Sequence, residues 1–224
     1  MALILNIETS TEVCSVCTSE NSQLLAIEEE NKANSHSSVI TLLIQRLFEK
    51  SSRNLQEIDA VAVSAGPGSF TGLRIGASVA KGLCYALDKP LLAIPTTQAM
   101  AAGTIEQVKD KDALYCAVVD SIKDELYAEL YDANLVPVVR TQPADSRLKD
   151  FIQHLGKKTT YFFGSGVEKL KIMDFEEVKL ITGFLNSSKN MIGLAHSFFA
   201  EKKFASVESF EPDYLKSFVS RVKQ

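Results

Sequence analysis

The stretch whose residue types could do chemistry is a glycine turn between a predicted strand and a predicted helix. Gly66, Gly68 and Ser69 follow a short apolar run at 60–63, and a long segment of helical period follows at 70–87, with Ser69 or Thr71 placed to cap it. The first N–H groups of a helix are unpaired and the helix dipole is positive there, so this order of elements can hold a phosphate. No Gly-Lys-Ser/Thr follows, which excludes a Walker A loop, and the glycine spacing misses the dinucleotide fingerprint. A tight turn that binds nothing is the alternative.

Acidic side chains at two strand ends are the second candidate. Glu8 ends the first apolar strand and is followed by Thr9 and Ser10, and Asp120 ends a strand in the second half. Paired carboxylates in a cleft can hold hydrated magnesium beside phosphates. We therefore expect Glu8, Thr9 and Ser10 to face a nucleotide or phosphate together with the glycine turn. The alternative, which composition by itself favours, is that both acids are solvated strand ends.

Other catalytic patterns are missing from the sequence. The three histidines, His36, His154 and His196, are isolated, and no GxSxG, HxxxH or HExxH occurs. Cys14 and Cys17 form a lone CxxC on a predicted strand, where residues three apart point to opposite faces. The sequence therefore predicts structural cysteines and neither a catalytic triad nor a zinc site.

Composition limits the class of protein. The chain has 224 residues, 46% of them hydrophobic, which suits one large domain or two lobes. Its net charge is −4, whereas a chain that holds nucleic acid by itself is usually basic, so any nucleic-acid role needs a partner. Few cysteines, no secretory pattern at the start and no membrane-length apolar run lead us to expect a soluble, cytoplasmic protein.

The predicted elements repeat. The order of three strands, helix, strand, glycine turn and helix occurs twice, which predicts a duplicated α/β architecture. The first set comprises strands at 3–7, 13–18 and 24–30, a helix at 39–50, a strand at 60–63 and a helix at 70–87, followed by a strand at 91–94 and a helix at 96–102 that Gly103 ends. The second comprises strands at 114–119, 125–131 and 135–140, a helix at 147–155, a strand at 160–163 and a helix at 167–172, followed by a helix at 189–202. We place the lobes at 1–105 and 106–224, with the last helix or tail returning to the first lobe.

Two predicted helices of the first lobe have faces suited to binding another protein chain. The helix at 39–50 is apolar over well over half its circumference, more than one sheet-facing stripe needs. In the next helix Gly72, Gly76, Ala80 and Cys84 recur every four residues, which leaves one face nearly bare and permits close helix approach. We expect an intermolecular face here, and tight packing on the chain's own sheet is the alternative.

Several stretches resemble the TsaB (YeaZ) family. They are ILNIETST at the start, SAGPGSFTGLRIG in the middle, KPLLAIPTTQAMA after it and EPDYLK near the end. The resemblance implies the two-lobed, actin-like ASKHA fold, which is ribonuclease H-like. Each lobe would then hold a mixed sheet of a three-stranded meander plus parallel strands, with helices. It also implies a subunit of the bacterial machinery that makes threonylcarbamoyladenosine next to the anticodon of tRNA.

The same resemblance implies a subunit without catalysis of its own. The paralogous transferase, TsaD, binds a metal through His-x-x-x-His, and in the matching positions this chain has Thr96 and Met100, neither of which replaces imidazole. The expectation is therefore no metal and no tightly bound cofactor, with weak ATP or ADP binding left open. The alternative is an active ASKHA nucleotide-binding enzyme, kinase-like, or a metalloprotease-like hydrolase.

Partners follow from the resemblance as well. It implies a TsaD-like catalytic subunit, a TsaE-like ATPase, tRNA only indirectly through the complex, a homodimer when TsaD is absent, and no membrane. The predicted partner interface comprises His36, Val39, Ile40, Leu43, Leu47, Gly72, Arg74, Ile75, Gly76, Val79, Ala80 and Leu83.

Overall fold

Two five-stranded sheets form the framework of the computed structural model, which describes residues 2–32, 35–121, 125–146, 148, 151, 154, 157–171 and 176–213. The first sheet has the order β3-β2-β1-β4-β5, antiparallel from β1 to β3 and parallel from β1 through β4 to β5. Its strands are β1 (Leu3–Glu8), β2 (Val13–Glu20), β3 (Gln23–Asn31), β4 (Ala60–Ser64) and β5 (Leu91–Ile94). All six residues of β1 are buried, as expected for a central strand covered on both faces.

The second sheet repeats this plan with the order β10-β9-β6-β7-β8. Its strands are β6 (Leu114–Asp120), β7 (Glu125–Asp132), β8 (Pro137–Asp145), β9 (Thr160–Phe163) and β10 (Val178–Ile181). The duplicated α/β architecture is confirmed. The sequence prediction missed β10, a four-residue run that becomes a strand by parallel pairing with β9, and it ended β8 too early.

Four α-helices surround the sheets in the described part of the chain. They are α1 (His36–Ser51), α2 (Phe70–Leu87), α3 (Thr96–Val108) and α4 (Ile192–Ala200). Shorter 3-10 turns lie at Leu55–Glu57, Val167–Lys169 and Ser188–Met191. The helix predicted at 167–172 is therefore only a 3-10 turn, and the one predicted at 189–202 is divided between a 3-10 turn and α4. Most of the helix predicted at 147–155 lies outside the described residues.

Gly103 does not end its helix, contrary to prediction. It lies inside α3, and a Cβ built there would lie 2.3 Å from Asn190 Oδ1. The absence of a side chain lets α3 approach the segment before α4, a tertiary requirement that outweighs the low helix propensity of glycine.

The helices α1 and α2 cover one face of the first sheet. Ile40, Leu43 and Leu47 of α1 share a core with Ala80 of α2 and the apolar side chains of the strands. Their helical spacing places the α1 side chains on one stripe, and burying each contributes about 1.5–3 kcal/mol.

The helix α3 lies between the two sheets. Its Ala99 packs with Ile94 and with Leu194 of α4 on the first sheet, and its Met100 packs with Tyr115 and other residues of the second. The boundary that we place between 105 and 106 falls inside this helix, whose side chains contact both sheets.

Candidate functional site

A cavity of about 570 Å³ lies between the two halves of the chain. On the first half, the β1–β2 turn and the first turns of α1 and α2 line it, and on the second half, segments after β6, β9 and β10 do so. The lining residues are Ser10, Thr11, Glu12, His36, Ser37, Ser69, Thr71, Gly72, Ile75, Val119, Asp120, Ser121, Gly164, Ser165, Val167, Glu168, Thr182, Gly183, Phe184, Leu185 and Asn186. Strand ends and helix starts therefore converge on this cavity.

The space beside the glycine turn is occupied by other residues of the same chain. Ser69 N–H donates to the Ser10 carbonyl at 2.7 Å, and a Cβ at Gly68 would lie 2.4 Å from that oxygen. Gly66, at φ +104°, donates its N–H to Thr96 Oγ1 at 3.2 Å. The Ser69 hydroxyl accepts from the Gly72 N–H at 3.2 Å and so caps α2. The turn thus fixes the β1–β2 turn against α2, and its amides are largely used within the chain.

The residues predicted to face a phosphate are divided by the structure. Ser10, Ser69 and Thr71 line the cavity, whereas Glu8, Thr9, Gly66 and Gly68 do not, which corrects the prediction for these four. Glu8, Thr9 and Gly66 are buried, whereas Gly68 is half-buried and packs against Ser10.

The structure does not bring Glu8 and Asp120 together as a magnesium site, and of the two only Asp120 fits the alternative of a solvated strand end. Glu8 is fully buried, accepts the Ser10 N–H at 2.6 Å, and has its pKa raised by burial. Asp120 is exposed, lines the cavity, and forms an ion pair with Lys169. Within the described ranges, no three His, Cys, Asp or Glu side chains are grouped closely enough to hold a metal ion.

The positions that resemblance associates with metal ligands are used for packing. Thr96 and Met100 are both fully buried. The Thr96 hydroxyl accepts from Gly66, and a Cβ built at Gly164 would lie 2.5 Å from the Met100 Cε, so the second sheet closes on this side chain.

The predicted partner interface is also divided. Ile40, Leu43, Leu47 and Ala80 are at most 2% exposed and belong to the core, so their assignment to an interface is wrong. A Cβ built at Gly72 would lie 2.1 Å from the Thr9 carbonyl oxygen, and one built at Gly76 would lie 2.3 Å from Thr9 Oγ1. The bare face of α2 therefore packs against the β1–β2 turn of its own chain. His36 is buried at the cavity.

Of the remaining predicted interface residues, Arg74, Ile75, Val79 and Leu83 line an open surface between α1 and α2, whereas Val39 does not. Val39, Ile75, Val79 and Leu83 are half-buried, and Arg74 is exposed with its guanidinium 3.9 Å from the centre of the Phe70 ring. Two hollows of about 720 and 430 Å³ lie here. We call this surface the α1–α2 groove and define it by Thr41, Gln45, Ile75, Val79 and Leu83.

On the second-half wall of the cavity, sequence reasoning named Asp120 but missed Asn186 and Phe184. Asn186 lies at that wall, with its amide nitrogen 3.4 Å from Ser10 Oγ, and Phe184 supplies an apolar side chain. The polar run Asn186-Ser187-Ser188 before α4 was the available signal, because a buried helix start needs hydrogen-bonding residues.

No described helix has both the length and the apolar character needed to cross a bilayer.

Comparisons with known proteins agree on one family. The model of a family described as "TsaD: tRNA N6-adenosine threonylcarbamoyltransferase" matches residues 24–203. Over 97% of its length the chain is 29% identical to the tRNA threonylcarbamoyladenosine biosynthesis protein TsaB of Escherichia coli K12, of which it covers 96%. It is also 26% identical to a tRNA N6-adenosine threonylcarbamoyltransferase of Staphylococcus haemolyticus, over 84% of this chain and 65% of that one. The structure of YeaZ from Pseudomonas aeruginosa superposes with a TM-score of 0.81 at 24% identity, covering 96% of this chain and 100% of that one, and so shows the same fold.

Proposed function

We propose that this chain acts in the biosynthesis of threonylcarbamoyladenosine in tRNA, because it belongs to the TsaB (YeaZ) family of the ASKHA superfamily. Its role there is that of a partner subunit without catalysis of its own, working in the cytoplasm. The single observation that carries the proposal is the similarity to TsaB over nearly the full length of both chains.

The buried Thr96 and Met100 support the non-catalytic part of the proposal. Both side chains are enclosed by neighbours at the positions where resemblance expects the transferase's metal ligands, and neither is a good ligand for iron or zinc. Loading a metal there would require two substitutions and reopening of the contact between Met100 and Gly164.

The partner that we propose is a TsaD-like catalytic subunit. This chain is similar to such a protein over 84% of its length, so the two proteins share a scaffold and can present related helices to one another. The α1–α2 groove provides half-buried aliphatic side chains between exposed polar ones, the composition of a docking surface. A pair of this kind would bury about 1,200–2,000 Å² in total.

Further partners belong to the same proposal. A TsaE-like ATPase joins the pair, and tRNA is held by the complex and not by this chain, whose net charge of −4 opposes a polyanion. In the absence of the TsaD-like subunit, a second copy of this chain occupies the same groove as a homodimer.

Co-expression with the cognate TsaD-like protein, followed by size-exclusion chromatography, tests the proposal. Thr41 is exposed and borders both hollows of the groove, so Thr41→Arg places a charge at the interface with no effect on the core. We expect this variant to lose co-elution while the wild type keeps it.

Tyr85→Arg is the matched control. Tyr85 is 86% exposed on α2 and lies outside the groove, so this variant should co-elute normally. Absence of a wild-type complex at low salt would refute the partner role. A Thr41→Arg variant that assembles like the control would refute the groove assignment.

A further inference from the structure

We propose that residues 214–224, the segment that follows the last described residue, occupy the α1–α2 groove of the same molecule. The docking is inferred from this chain alone. Only its consequence for partner binding rests on the proposed function.

The described chain returns to the first half of the molecule and ends close to the groove. Phe210 packs against the core of the first sheet. Lys81 of α2 donates to the carbonyls of Glu208 and Phe210, at 3.1 Å in each case. The Asp213 N–H donates to the Ala65 carbonyl at 2.7 Å. The segment beyond 213 therefore starts beside the glycine turn that precedes α2.

The end of the described chain and the groove share residues of α2. A hollow of about 300 Å³ lies between α2 and residues 210–212, and Arg74 and Ser78 line both this hollow and the 430 Å³ hollow of the groove. From Arg74 the groove continues along α2 to Leu83, about 14 Å of helix. Residues 214–224 span about 16 Å as a helix. The segment is therefore long enough to reach the far end of the groove.

The pattern of the segment suits an apolar groove. Leu215, Phe218, Val219 and Val222 recur at the spacing of one helix face. The groove offers half-buried aliphatic side chains of α2 and, at its floor, buried apolar side chains of α1. An amphipathic helix laid in such a groove is a recurring mode of recognition. Because the segment is tethered beside the groove, its local concentration there is on the order of millimolar, so weak contacts suffice.

Charge favours one direction of the segment along the groove. Arg221 and Lys223 lie near its end, and it contains no Asp or Glu. Glu49 and Glu57 are exposed at the far end of the groove, where Arg53 already forms an ion pair with a glutamate of β2. A segment that runs from the start of α2 towards its end therefore brings opposite charges together.

The consequence is competition for the groove. We propose the same surface for the TsaD-like subunit, so the segment has to leave before that subunit binds. A segment that occupies the groove in about nine molecules of ten lowers the affinity for the partner about tenfold.

Paramagnetic nuclear magnetic resonance of the full chain tests the docking. Gln224→Cys carries a nitroxide label, since the four native cysteines are buried, and the chain is kept at a concentration at which ultracentrifugation finds a monomer. We expect the methyl signals of Val79 and Leu83 to lose most of their intensity, whereas those of Val138, on the second sheet, keep theirs. Broadening that is absent from the groove, or equal at Val138, would overturn the proposal.

Two variants of the labelled chain separate apolar contact from charge. Phe218→Asp places a charge on the apolar face of the segment and should abolish the broadening. Ser220→Asp adds the same charge on the opposite face and should keep it. Survival of the broadening in Phe218→Asp, or its loss in both variants, contradicts the docking.

A mixture of chains distinguishes docking within one molecule from docking onto a second copy. Spin-labelled chains are mixed with isotope-labelled chains that carry no spin label, and we expect no broadening. Broadening of the groove signals in this mixture would assign the groove to a second copy and overturn the proposal.

Partner binding tests the competition separately. Phe218→Asp should bind the TsaD-like subunit about tenfold more tightly than Ser220→Asp does. Equal affinities, with the docking itself observed, would refute the competition alone. The absence of a complex with either variant and with the wild type would refute the proposed partner role and leave the docking in place.

Discussion

Replacing Gly76 by alanine tests how α2 is held against the β1–β2 turn. The new Cβ would lie 3.4 Å from Thr9 Cβ and Cγ2 and only 2.3 Å from Thr9 Oγ1. The second distance is shorter than a carbon and an oxygen atom that are not bonded can approach. Forcing an atom into a filled contact costs about 1–3 kcal/mol, and the better helix propensity of alanine returns about 0.5–1 kcal/mol. We therefore expect the free energy of unfolding to fall by up to about 2.5 kcal/mol.

Gly82 provides the matched control on the same helix. A Cβ there meets nothing within 4 Å, so Gly82→Ala should raise the free energy of unfolding by about 0.5–1 kcal/mol through helix propensity alone. The same substitution in α2 thus has opposite signs at two positions six residues apart.

Urea denaturation followed by far-ultraviolet circular dichroism measures both effects. Thr9→Ala removes Oγ1 and Cγ2, so in the double variant with Gly76→Ala much of the loss should be recovered, giving a coupling free energy of about 1 kcal/mol. If Gly76→Ala is as stable as Gly82→Ala, α2 does not pack on Thr9, and the bare helix face is again available to a partner.

Three further predictions concern titratable groups. Burial raises the pKa of Glu8 above its value in the unfolded chain, so stability is lost as the pH rises from the unfolded pKa through the folded one. In urea titrations, Glu8→Gln should therefore be more stable than the wild type at pH 7 and nearly equal to it at pH 4. Burial lowers the pKa of His196, which lies 3.1 Å from Ser19 Oγ, so stability should decline as the pH falls below the unfolded pKa near 6.5 and through the lower folded one. His196→Gln should flatten that decline in thermal melts. Burial raises the pKa of Cys17 to about 12, so a thiol reagent at pH 8 should modify it only after urea unfolding, and rapid labelling of the native chain would contradict the packing.

Local patterns of the sequence predicted most of the elements correctly. Alternating and continuous apolar runs placed both meanders, and the helix predicted after the glycine turn is α2. These features depend on neighbours close in the chain, so the sequence carries them directly. The short β10 and the continuation of α3 through Gly103 were not predicted, because each depends on a contact made only after folding. The strand β10 pairs with β9, and Gly103 lies against Asn190.

The family motifs in the sequence were sufficient to indicate the function class, because they recur as linear stretches. The site was not predictable to the same degree. The period of α2 showed a bare face, but whether that face meets another chain or Thr9 depends on where the β1–β2 turn comes to lie.

What the sequence by itself determined is therefore the order of elements, the two-fold repeat and the family. Only the tertiary structure decided which helix faces are enclosed, that Glu8 lies behind the cavity wall and that His36 lies at it. The physical reason is that helix period and strand alternation are local, whereas burial is set by residues brought together from distant parts of the chain.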